Sequence, residues 1–365
     1  MKTKALGEIC RPKQWKTVSV SQLCENGYPV YGANGVIGKY KDFNHKKETI
    51  LVTCRGATCG TLNICAPFSY VNGNAMALDS LDKSVDLRYL YYFLKGRGFH
   101  DVISGSAQPQ IIRSAIERIE VPICNIGTQK EITKRFTKIE DIIKNKKRLL
   151  ADLDNLIKAR FVEMFGDFDL APQCNEWIKL SKLGEIVSGS TPKTGTAEYW
   201  DGDICWITPA ELNSMSGIVY DSKKKITEAG RNSCSLRLMP INTVILSSRA
   251  PIGKVAILGK EMCCNQGFKN IICNEKILPK YLYYLLAYNT DYLNSLGRGA
   301  TFKEISKKIV EDIRISLPSI EQQAKFITFS EQVDKSKFAL SNELAMGNFY
   351  IRLIHDCIMH GCIDL

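Results

Sequence analysis

Apolar residues recur with alternating steps of four and three between about Thr128 and Phe165. This spacing is typical of the a and d positions of a coiled-coil seam. No glycine or proline lies between Gly127 and Gly166, so nothing in the sequence interrupts a helix. At about 1.5 Å per residue, the predicted helix is about 55 Å long. The positions on its stripe are Ile132, Phe136, Ile139, Ile143, Lys146, Leu150, Leu153, Ile157, Arg160 and Met164.

A second stripe with the same spacing begins near Glu321 and continues to the C-terminus. Gly347 weakens this helix by about 1 kcal/mol relative to alanine, and Lys337 places a charge on the stripe, so it is predicted to be the less regular of the two. One stripe alone could belong to a core helix of its own domain. Two matched stripes favour pairing with each other. The second stripe contains Phe326, Phe329, Val333, Lys337, Leu340, Leu344, Gly347, Ile351, Ile354 and Ile358.

The segments that precede the two helices resemble each other, which indicates an internal duplication. In the first segment, the glycine-rich piece 31–40 predicts a turn between short strands, and 50–56 predicts a strand that runs into a turn. The counterpart of the latter is 244–250, which makes Arg55 and Arg249 equivalent.

Further matches extend the repeat along most of both segments. They are Leu6–Ile9 with Leu183–Ile186, Val71–Asn74 with Cys264–Gly267, the amphipathic helices Tyr89–Leu94 and Tyr281–Leu286, the loops Gly105–Ile111 and Gly299–Ile305, and the strands Ile119–Pro122 and Ile315–Pro318. The tyrosines of the two amphipathic helices alternate with leucine and are interpreted as mostly core. The predicted layout is a domain over 1–124, a long helix over 125–168, a second domain over 169–320 and a second long helix over 321–365.

Composition and charge restrict the class of protein. The formal net charge of +11 suits a polyanionic partner. The 14 cysteines contain no C-x-x-C spacing and the chain has 4 histidines, so we expect reduced, mostly core thiols and no zinc site. The N-terminus lacks an apolar signal segment and no apolar run of 18 residues occurs, so we expect a cytoplasmic protein without a membrane partner.

Motifs for catalysis on nucleic acid are missing from the sequence. There is no Walker A motif, no G-x-G-x-x-G, no Pro-Pro for an amino-methyltransferase motif and no Pro-Asp for a metal-dependent nuclease. Asp221-Ser222-Lys223 is the lone acid-x-Lys triplet, and a charged strand end is its ordinary explanation. With four scattered histidines, no Ser/His/Asp grouping is indicated.

The chain resembles the specificity subunits of type I restriction-modification systems over almost its whole length. The resemblance rests on the order of two domains and two long helices, and on particular stretches. These are YGANGVIGKY at 31–40, GSTPKT at 189–194, YWDGDICWITPAEL at 199–212, KARFVEMFGD at 158–167, and the helix starts at Gln129 and Gln322-Gln323.

This resemblance implies an α/β (α+β) fold with two target recognition domains, as pseudo-repeats, separated by two long antiparallel coiled-coil helices, the conserved spacers. It also implies a subunit that is not catalytic and binds double-stranded DNA. Its expected partners are two adenine-methylating modification subunits and ATP-driven restriction subunits. S-adenosylmethionine, ATP and magnesium are expected on those partners, and no cofactor or metal is expected in this chain.

The candidate DNA contacts are basic, amide and hydroxyl side chains, and those of the first domain lie in or beside glycine-rich turns. Arginine pairs bidentately with guanine, and asparagine or glutamine suits adenine. For Arg55 and Arg249 the alternative is a structural salt bridge or a helix-cap contact. The candidates are Asn34, Lys39, Arg55, Gln108, Gln110 and Arg113 in the first domain, and Thr191, Lys193, Arg249, Lys254, Lys269, Arg298 and Lys303 in the second.

The leading hypothesis is a DNA-recognition subunit in which each domain reads one half of an asymmetric bipartite target and the coiled coil sets the gap. One alternative is a degenerate nuclease or methyltransferase, which predicts metal- or cofactor-dependent activity from this chain alone. Another is a coiled-coil scaffold without DNA, which predicts that alanine at Arg55 and Arg249 leaves every binding phenotype unchanged.

Overall fold

The computed structural model describes residues 2–105, 108–166, 177–213, 215–249, 251–299 and 303–360. By compactness the chain divides into a first unit, 1–149 with 340–365, and a second unit, 150–339. The predicted boundary between 168 and 169, the last residues of the second predicted helix (361–365) and part of each predicted repeat loop (106–107 and 300–302) lie outside the described residues.

The first unit is built from short strands around one central helix. Its strands are β1 (Lys2–Ala5), β2 (Arg11–Gln14), β3 (Tyr28–Gly32), β4 (Gly35–Tyr40), β5 (Thr49–Thr53), β6 (Leu62–Cys65), β7 (Tyr70–Val71), β8 (Ala75–Asp79), β9 (Ile103–Ser104), β10 (Gln110–Ile111) and β11 (Glu120–Ile123). Its helices are α1 (Leu6–Ile9), α2 (Leu87–Arg97) and α3 (Arg113–Ile116), and α4 (Ile126–Phe165) begins here. One sheet has the order β2-β8-β5-β6, a second has the order β4-β3-β7, and β1 pairs with β11 and β9 with β10.

Strand β5 is buried on both faces because its apolar residues form a continuous run. Ile50 and Val52 belong to the core that contains α2, and Leu51 faces a smaller core on the other side. The side chain of Asp86 caps α2 by accepting a hydrogen bond from the backbone N–H of Tyr89 at 2.9 Å. Tyr89 is fully buried, which confirms the interpretation of this tyrosine as core.

The second unit repeats this plan with a larger sheet. Its strands are β12 (Trp177–Lys179), β13 (Gly184–Ser188), β14 (Trp200–Ile207), β15 (Met215–Val219), β16 (Lys224–Ile226), β17 (Val244–Ser247), β18 (Val255–Leu258), β19 (Cys263–Cys264), β20 (Phe268–Cys273) and β21 (Arg314–Ser316). Its helices are α5 (Glu228–Ser233), α6 (Pro279–Tyr288), α7 (Thr290–Ser295) and α8 (Lys307–Asp312), and α9 (Ile320–His360) begins here. The sheets have the orders β13-β20-β17-β18-β15 and β16-β14-β19, and β12 pairs with β21.

The duplication predicted from sequence is present in the backbone, with two corrections. Glu120 pairs with Ala5 and Arg314 pairs with Lys179, so the counterpart of Ile119 is Ile313 and not Ile315. Leu6–Ile9 forms helix α1, whereas the matching letters at Leu183–Ile186 include the start of strand β13. The structural counterpart of Leu6 is Leu180, because Leu6 N–H donates to Ile119 O at 2.8 Å and Leu180 N–H donates to Ile313 O at 2.8 Å. Four identical letters do not fix a secondary structure, since tertiary pairing decides it.

The long helices pair antiparallel within the first unit. The rings of Phe136 and His355 lie 4.8 Å apart between centroids, and Lys146 forms an ion pair with Glu343, so residue numbers rise along α4 as they fall along α9. Gly347 lies against Ile143, where a Cβ atom would lie 3.1 Å from Ile143 Cγ1. The glycine that weakens α9 therefore also allows the two helices to approach closely.

The same antiparallel pairing occurs within the second unit. Asp154 forms an ion pair with Lys337, and the guanidinium carbon of Arg160 lies 5.9 Å from the centre of the Phe329 ring. Of the three charged residues on the predicted stripes, Lys146 and Lys337 thus bind acidic residues of the opposite helix, and Arg160 lies over an aromatic ring of that helix. The fold is the predicted one: two mixed α/β repeats and two long coiled-coil helices.

Two further sequence expectations concern membranes and thiols. Within the described ranges, no helix is long and apolar enough to cross a membrane. The described cysteines are free thiols, and the buried ones are Cys10, Cys54, Cys65, Cys205, Cys263 and Cys264. The same part of the chain contains no cluster of His, Cys, Asp and Glu that could hold a metal ion.

Candidate nucleic-acid interface

The end of β5 brings Arg55 next to Gln110 in the first unit. Ile111 N–H donates to Cys54 O at 3.0 Å and Gly56 N–H donates to Pro109 O at 3.0 Å, so Arg55 and Gln110 face each other as an antiparallel backbone pair. Gly56, the residue after Arg55, has a φ of 89°, which glycine adopts easily because it has no Cβ atom. Both the arginine and the glutamine side chains are exposed.

The tip of the β3–β4 hairpin lies beside this loop. The hydroxyl of Thr53, at the end of β5, donates a hydrogen bond to the carbonyl of Ala33. Asn34, the next residue in the turn, is exposed. The structure therefore brings three predicted residues, Asn34, Arg55 and Gln110, onto adjoining loops, with exposed Gln108 two positions before Gln110.

Two other predicted residues of the first unit lie elsewhere or are already paired. Lys39 is exposed but sits on β4 opposite Pro29, at the open end of the hairpin rather than at its tip. Arg113 begins α3 and forms an ion pair with Glu117, in which Nε and Oε1 are 2.6 Å apart. Its exposed side chain is thus partly committed to a structural contact.

An equivalent loop follows β17 in the second unit. Ile305 N–H donates to Ser248 O at 2.9 Å, and Arg249 and Glu304 form an antiparallel backbone pair. Glu304 also pairs with Arg298 through two backbone hydrogen bonds of 3.1 and 2.9 Å. Arg249, Arg298 and Lys303 are exposed, so the structure brings these three predicted cations together around one acidic residue.

The side chain of Glu304 joins two cations. Arg249 Nε lies 3.1 Å from its Oε2 atom, and Lys269 Nζ lies 3.5 Å from its Oε1 atom. The Lys269 side chain is only 7% exposed, and Nζ also lies 3.3 Å from Ser248 Oγ. Burial lowers the pKa of Lys269, and the neighbouring Glu304 carboxylate acts in the opposite direction. Lys269 therefore supports the loop from inside and does not present its ammonium group at the surface.

The remaining predicted residues lie on neighbouring turns. Lys254 belongs to the same β17–β18 turn as Arg249, and its ammonium donates to Pro209 O at 3.0 Å. Thr191 Oγ1 accepts a hydrogen bond from Asn265 Nδ2 at 2.9 Å. Lys193 is exposed, and its carbonyl accepts the Trp200 indole N–H at 3.2 Å. Of the two lysines, Lys193 is the exposed one.

Glu304 is the residue of this loop that selection by residue type missed. A carboxylate is not among the residue types expected to contact DNA. In the internal repeat, however, Glu304 is matched with the candidate Gln110. The repeat alignment was the signal that could have identified it. Arg249 does form a salt bridge, with Glu304, as the alternative interpretation predicted. Arg55 makes no ion pair within the described ranges.

Comparison with known proteins shows the family. The type I restriction modification DNA specificity domain matches residues 1–155 and again residues 173–345. These two matches cover most of the sequence, and the chain belongs to this family.

Curated relatives agree with the family match. The chain is 39% identical over 184 residues to the type I restriction enzyme MjaIX specificity subunit of Methanocaldococcus jannaschii, which is 49% of this chain and 43% of the relative. It is 28% identical over 179 residues to the EcoR124I/EcoR124II specificity subunit of Escherichia coli, which is 47% of this chain and 43% of the relative. These matches thus span less than half of each relative. A match to the putative MjaX specificity subunit, 24% identical over 310 residues, covers 76% of this chain and 72% of that relative.

Solved structures share the fold. The S subunit of a type I restriction-modification system from M. genitalium superposes with a TM-score of 0.62 at 17% identity, covering 98% of this chain and 95% of that one. A chain from a study of complex assembly and conformational transition of the type I R-M system has a TM-score of 0.65 at 16% identity, covering 98% and 97%.

Proposed function

We propose that this chain is the non-catalytic DNA-recognition subunit of a type I restriction-modification complex. Each DNA specificity domain reads one half of an asymmetric bipartite target. The observation that carries the proposal is the duplicated loop: in both matched domains an exposed arginine follows the equivalent central strand and pairs with the equivalent loop residue, Arg55 with Gln110 and Arg249 with Glu304.

The chemistry of the loops supports duplex recognition. An exposed guanidinium offers two parallel N–H donors to guanine O6 and N7, and an exposed carboxamide suits adenine. Arg55, Gln110 and Asn34 supply both kinds of group on adjoining loops of the first domain. Arg249 and Arg298 supply cations in the second domain, and the net charge of +11 favours the phosphate backbone.

We also propose the domain boundaries and partners that accompany this role. The recognition domains are 1–124 and 169–320, and the spacers are 125–168 and 321–365. The spacers set the gap between half-sites and dock two methyltransferase subunits. Restriction subunits complete the complex. The cofactors S-adenosylmethionine, ATP and magnesium bind to the partner subunits. The assembly acts in the cytoplasm. Exposed apolar side chains on the long helices support docking: Ile142, Leu149, Leu156, Phe338, Met346, Phe349, Tyr350 and Leu353.

Methylation mapping tests the function directly. The genome is mapped in cells that carry this subunit and its partner genes, with and without this chain. We expect a split motif with a fixed gap that disappears when this chain is removed. Exchange of residues 1–124 for the corresponding domain of a relative should change one half of the motif and leave the other half and the gap intact.

Point variants connect the function to the loops. In the purified complex with methyltransferase subunits, Arg55→Ala and Arg249→Ala should each reduce selectivity for one half-site by about 10-fold to 100-fold, the range for a lost bidentate base contact. Arg11→Ala is the matched control, since this exposed arginine lies on β2 opposite Asp79, at the end of the sheet away from Thr53. A complex that binds all duplex sequences equally, or unchanged binding in both arginine variants, would overturn the proposal.

A further inference from the structure

We propose that Glu304 is a specificity-determining positioning residue, which holds the Arg249 guanidinium in place for guanine recognition. The inference rests on the proposed function and deepens it for the second domain. Gln110, at the equivalent position of the first domain, cannot hold Arg55 by charge, so the two domains recognise their half-sites with differently ordered arginines.

The two loops share one backbone frame, so the difference between them lies in the side chains. The hydrogen bond from Ile111 N–H to Cys54 O is 3.0 Å long, and the equivalent one from Ile305 N–H to Ser248 O is 2.9 Å long. Each arginine lies one residue beyond the accepting carbonyl, and each pairs with the residue before the donating isoleucine. The carboxylate in one loop and the carboxamide in the other are therefore alternatives at one structural position.

The ion pair leaves the base-reading edge of the guanidinium available. Glu304 Oε2 approaches Arg249 at Nε, at 3.1 Å, and bidentate guanine recognition can use the two terminal Nη groups instead. The Arg249 side chain remains 51% exposed. A carboxylate on the inner edge thus restrains the side chain without occupying the donors that would meet a base.

A buried cation fixes the carboxylate in turn. Lys269 Nζ lies 3.5 Å from Glu304 Oε1, and β20 holds this lysine in a site where it is 7% exposed. Moving Glu304 away would leave the lysine charge buried without its acidic partner, which is costly. The two cations also offset the single negative charge, so Glu304 adds little repulsion toward DNA phosphates.

The first domain lacks this chain of contacts. Gln110 is neutral and exposed, and Arg55 makes no ion pair in the described part of the structure. The Arg55 side chain must lose rotational freedom when it meets a base, whereas the ion pair with Glu304 already restrains the Arg249 side chain. The arrangement in the second domain is therefore a preorganised reader, and that in the first is an adaptable one.

The experiment is a double-mutant cycle in the purified complex of this subunit with its methyltransferase partners. Wild type, Glu304→Gln, Arg249→Ala and the double variant are titrated with the mapped target and with duplexes that carry each base substitution in the second half-site. We expect Glu304→Gln to reduce discrimination by about 10-fold at one base pair. In the Arg249→Ala background, Glu304→Gln should not change the ratio of affinities for the target and the substituted duplex any further. Discrimination in the first half-site should remain unchanged.

Several outcomes separate this role from others. A purely structural role would weaken binding to all duplexes alike and leave the discrimination ratio unchanged, which would overturn the inference. An effect of Glu304→Gln that persists in the Arg249→Ala background would also overturn it, since the carboxylate would then contact a base itself.

One control variant and one comparison of outcomes keep the test decisive. If Glu304→Gln alone fails to fold, it is combined with Lys269→Met. This double variant removes the buried lysine charge together with its acidic partner, so we expect it to fold. It should show the same reduced discrimination. A wild-type complex without any sequence preference would contradict the proposed function itself. An intact motif, with equal discrimination in wild type and Glu304→Gln, would contradict only the inference about Glu304.

Discussion

The side chain of Gln129 accepts a hydrogen bond from the backbone N–H of Asp86 at 2.8 Å, which ties the start of α4 to the cap of α2. Its Nε2 group donates to the carbonyls of Ser84 and Cys124, each at 2.8 Å. The Gln129 side chain is fully buried, and it satisfies three backbone groups at partly buried positions. In each unit a glutamine therefore fastens the long helix to its recognition domain, since Gln323 accepts from Leu278 N–H at 2.8 Å in the same way.

Replacement of either glutamine by leucine should destabilise the protein strongly. Gln129→Leu and Gln323→Leu each remove the side-chain partner of one backbone N–H and two carbonyls in partly buried positions, and we expect a loss of about 2 kcal/mol. Urea unfolding of the purified chain measures this. Gln322→Leu is the matched control: Gln322 is exposed, and its side chain accepts only from Ser319, at 3.2 Å. Equal unfolding midpoints for all three variants would contradict the assignment.

Gly96 permits contact between α2 and α9 in the first unit. A Cβ atom at this position would lie 2.5 Å from Cγ of His355, which is closer than real side chains approach. Alanine is a better helix former by about 1 kcal/mol, but here overpacking should outweigh that gain by about 1 kcal/mol. In the His355→Ala background the ring is gone, so Gly96→Ala should become stabilising. The sign reversal, measured by thermal unfolding, is the decisive observation, and a stabilising Gly96→Ala in the wild-type background would contradict it.

The long helices and the duplication could be predicted from sequence because both are periodic signals. The seam of α4 and the tyrosines of α2 repeat at helical spacing, and burial of Phe136 and Tyr89 confirms both interpretations. The match between Leu6–Ile9 and Leu183–Ile186 was misleading, because α1 and β13 take their structures from different backbone partners. Short identical strings carry no information about such partners.

The candidate site could be predicted only in part. The equivalence of Arg55 and Arg249 followed from the repeat, and the shared backbone pairing confirms it as a structural equivalence. Residue type could not show that Lys269 is buried, because its burial depends on β20 lying beside β17. Nor could it identify Glu304, whose role arises from two cations that are distant in sequence.

His355 should make the first unit sensitive to mild acid. Its ring packs on Phe136, and Nε2 has no hydrogen-bond partner among the described residues. Burial lowers the pKa of His355 below its ordinary value of 6.5, Lys95 acts in the same direction, and Asp356 and Glu140 act against it.

The sign of the pH effect follows from linkage. Well above pH 6.5, the ordinary pKa of the imidazole, the ring is neutral in both the folded and the unfolded chain. Below it the unfolded chain binds the proton first, so stability is lost as the pH falls toward the lower pKa of the folded state. The free energy of unfolding should therefore decrease more between about pH 7.5 and about pH 5.5 in wild type than in His355→Leu. Identical pH slopes for the two proteins would contradict a buried neutral histidine.

Asn270 is a site where a substitution should increase stability. It lies on β20 between Val187 and Ile245 of the neighbouring strands, and it is buried. Neither Nδ2 nor Oδ1 has a hydrogen-bond partner in the part of the chain that the structure describes. An unpaired buried amide costs about 1–3 kcal/mol, and valine suits a buried strand, so Asn270→Val should raise the unfolding free energy by about 1 kcal/mol or more.

The control for this prediction is another asparagine of the second unit that does have partners. Asn274 Nδ2 donates to Lys182 O at 2.9 Å, and its Oδ1 accepts from Lys276 N–H at 3.0 Å. Asn274→Val should therefore lower the unfolding free energy by about 1 kcal/mol, opposite in sign to Asn270→Val. Urea unfolding of both variants beside wild type measures the two changes under one condition. If both variants are destabilised, the amide of Asn270 is satisfied in solution and its burial carries no cost.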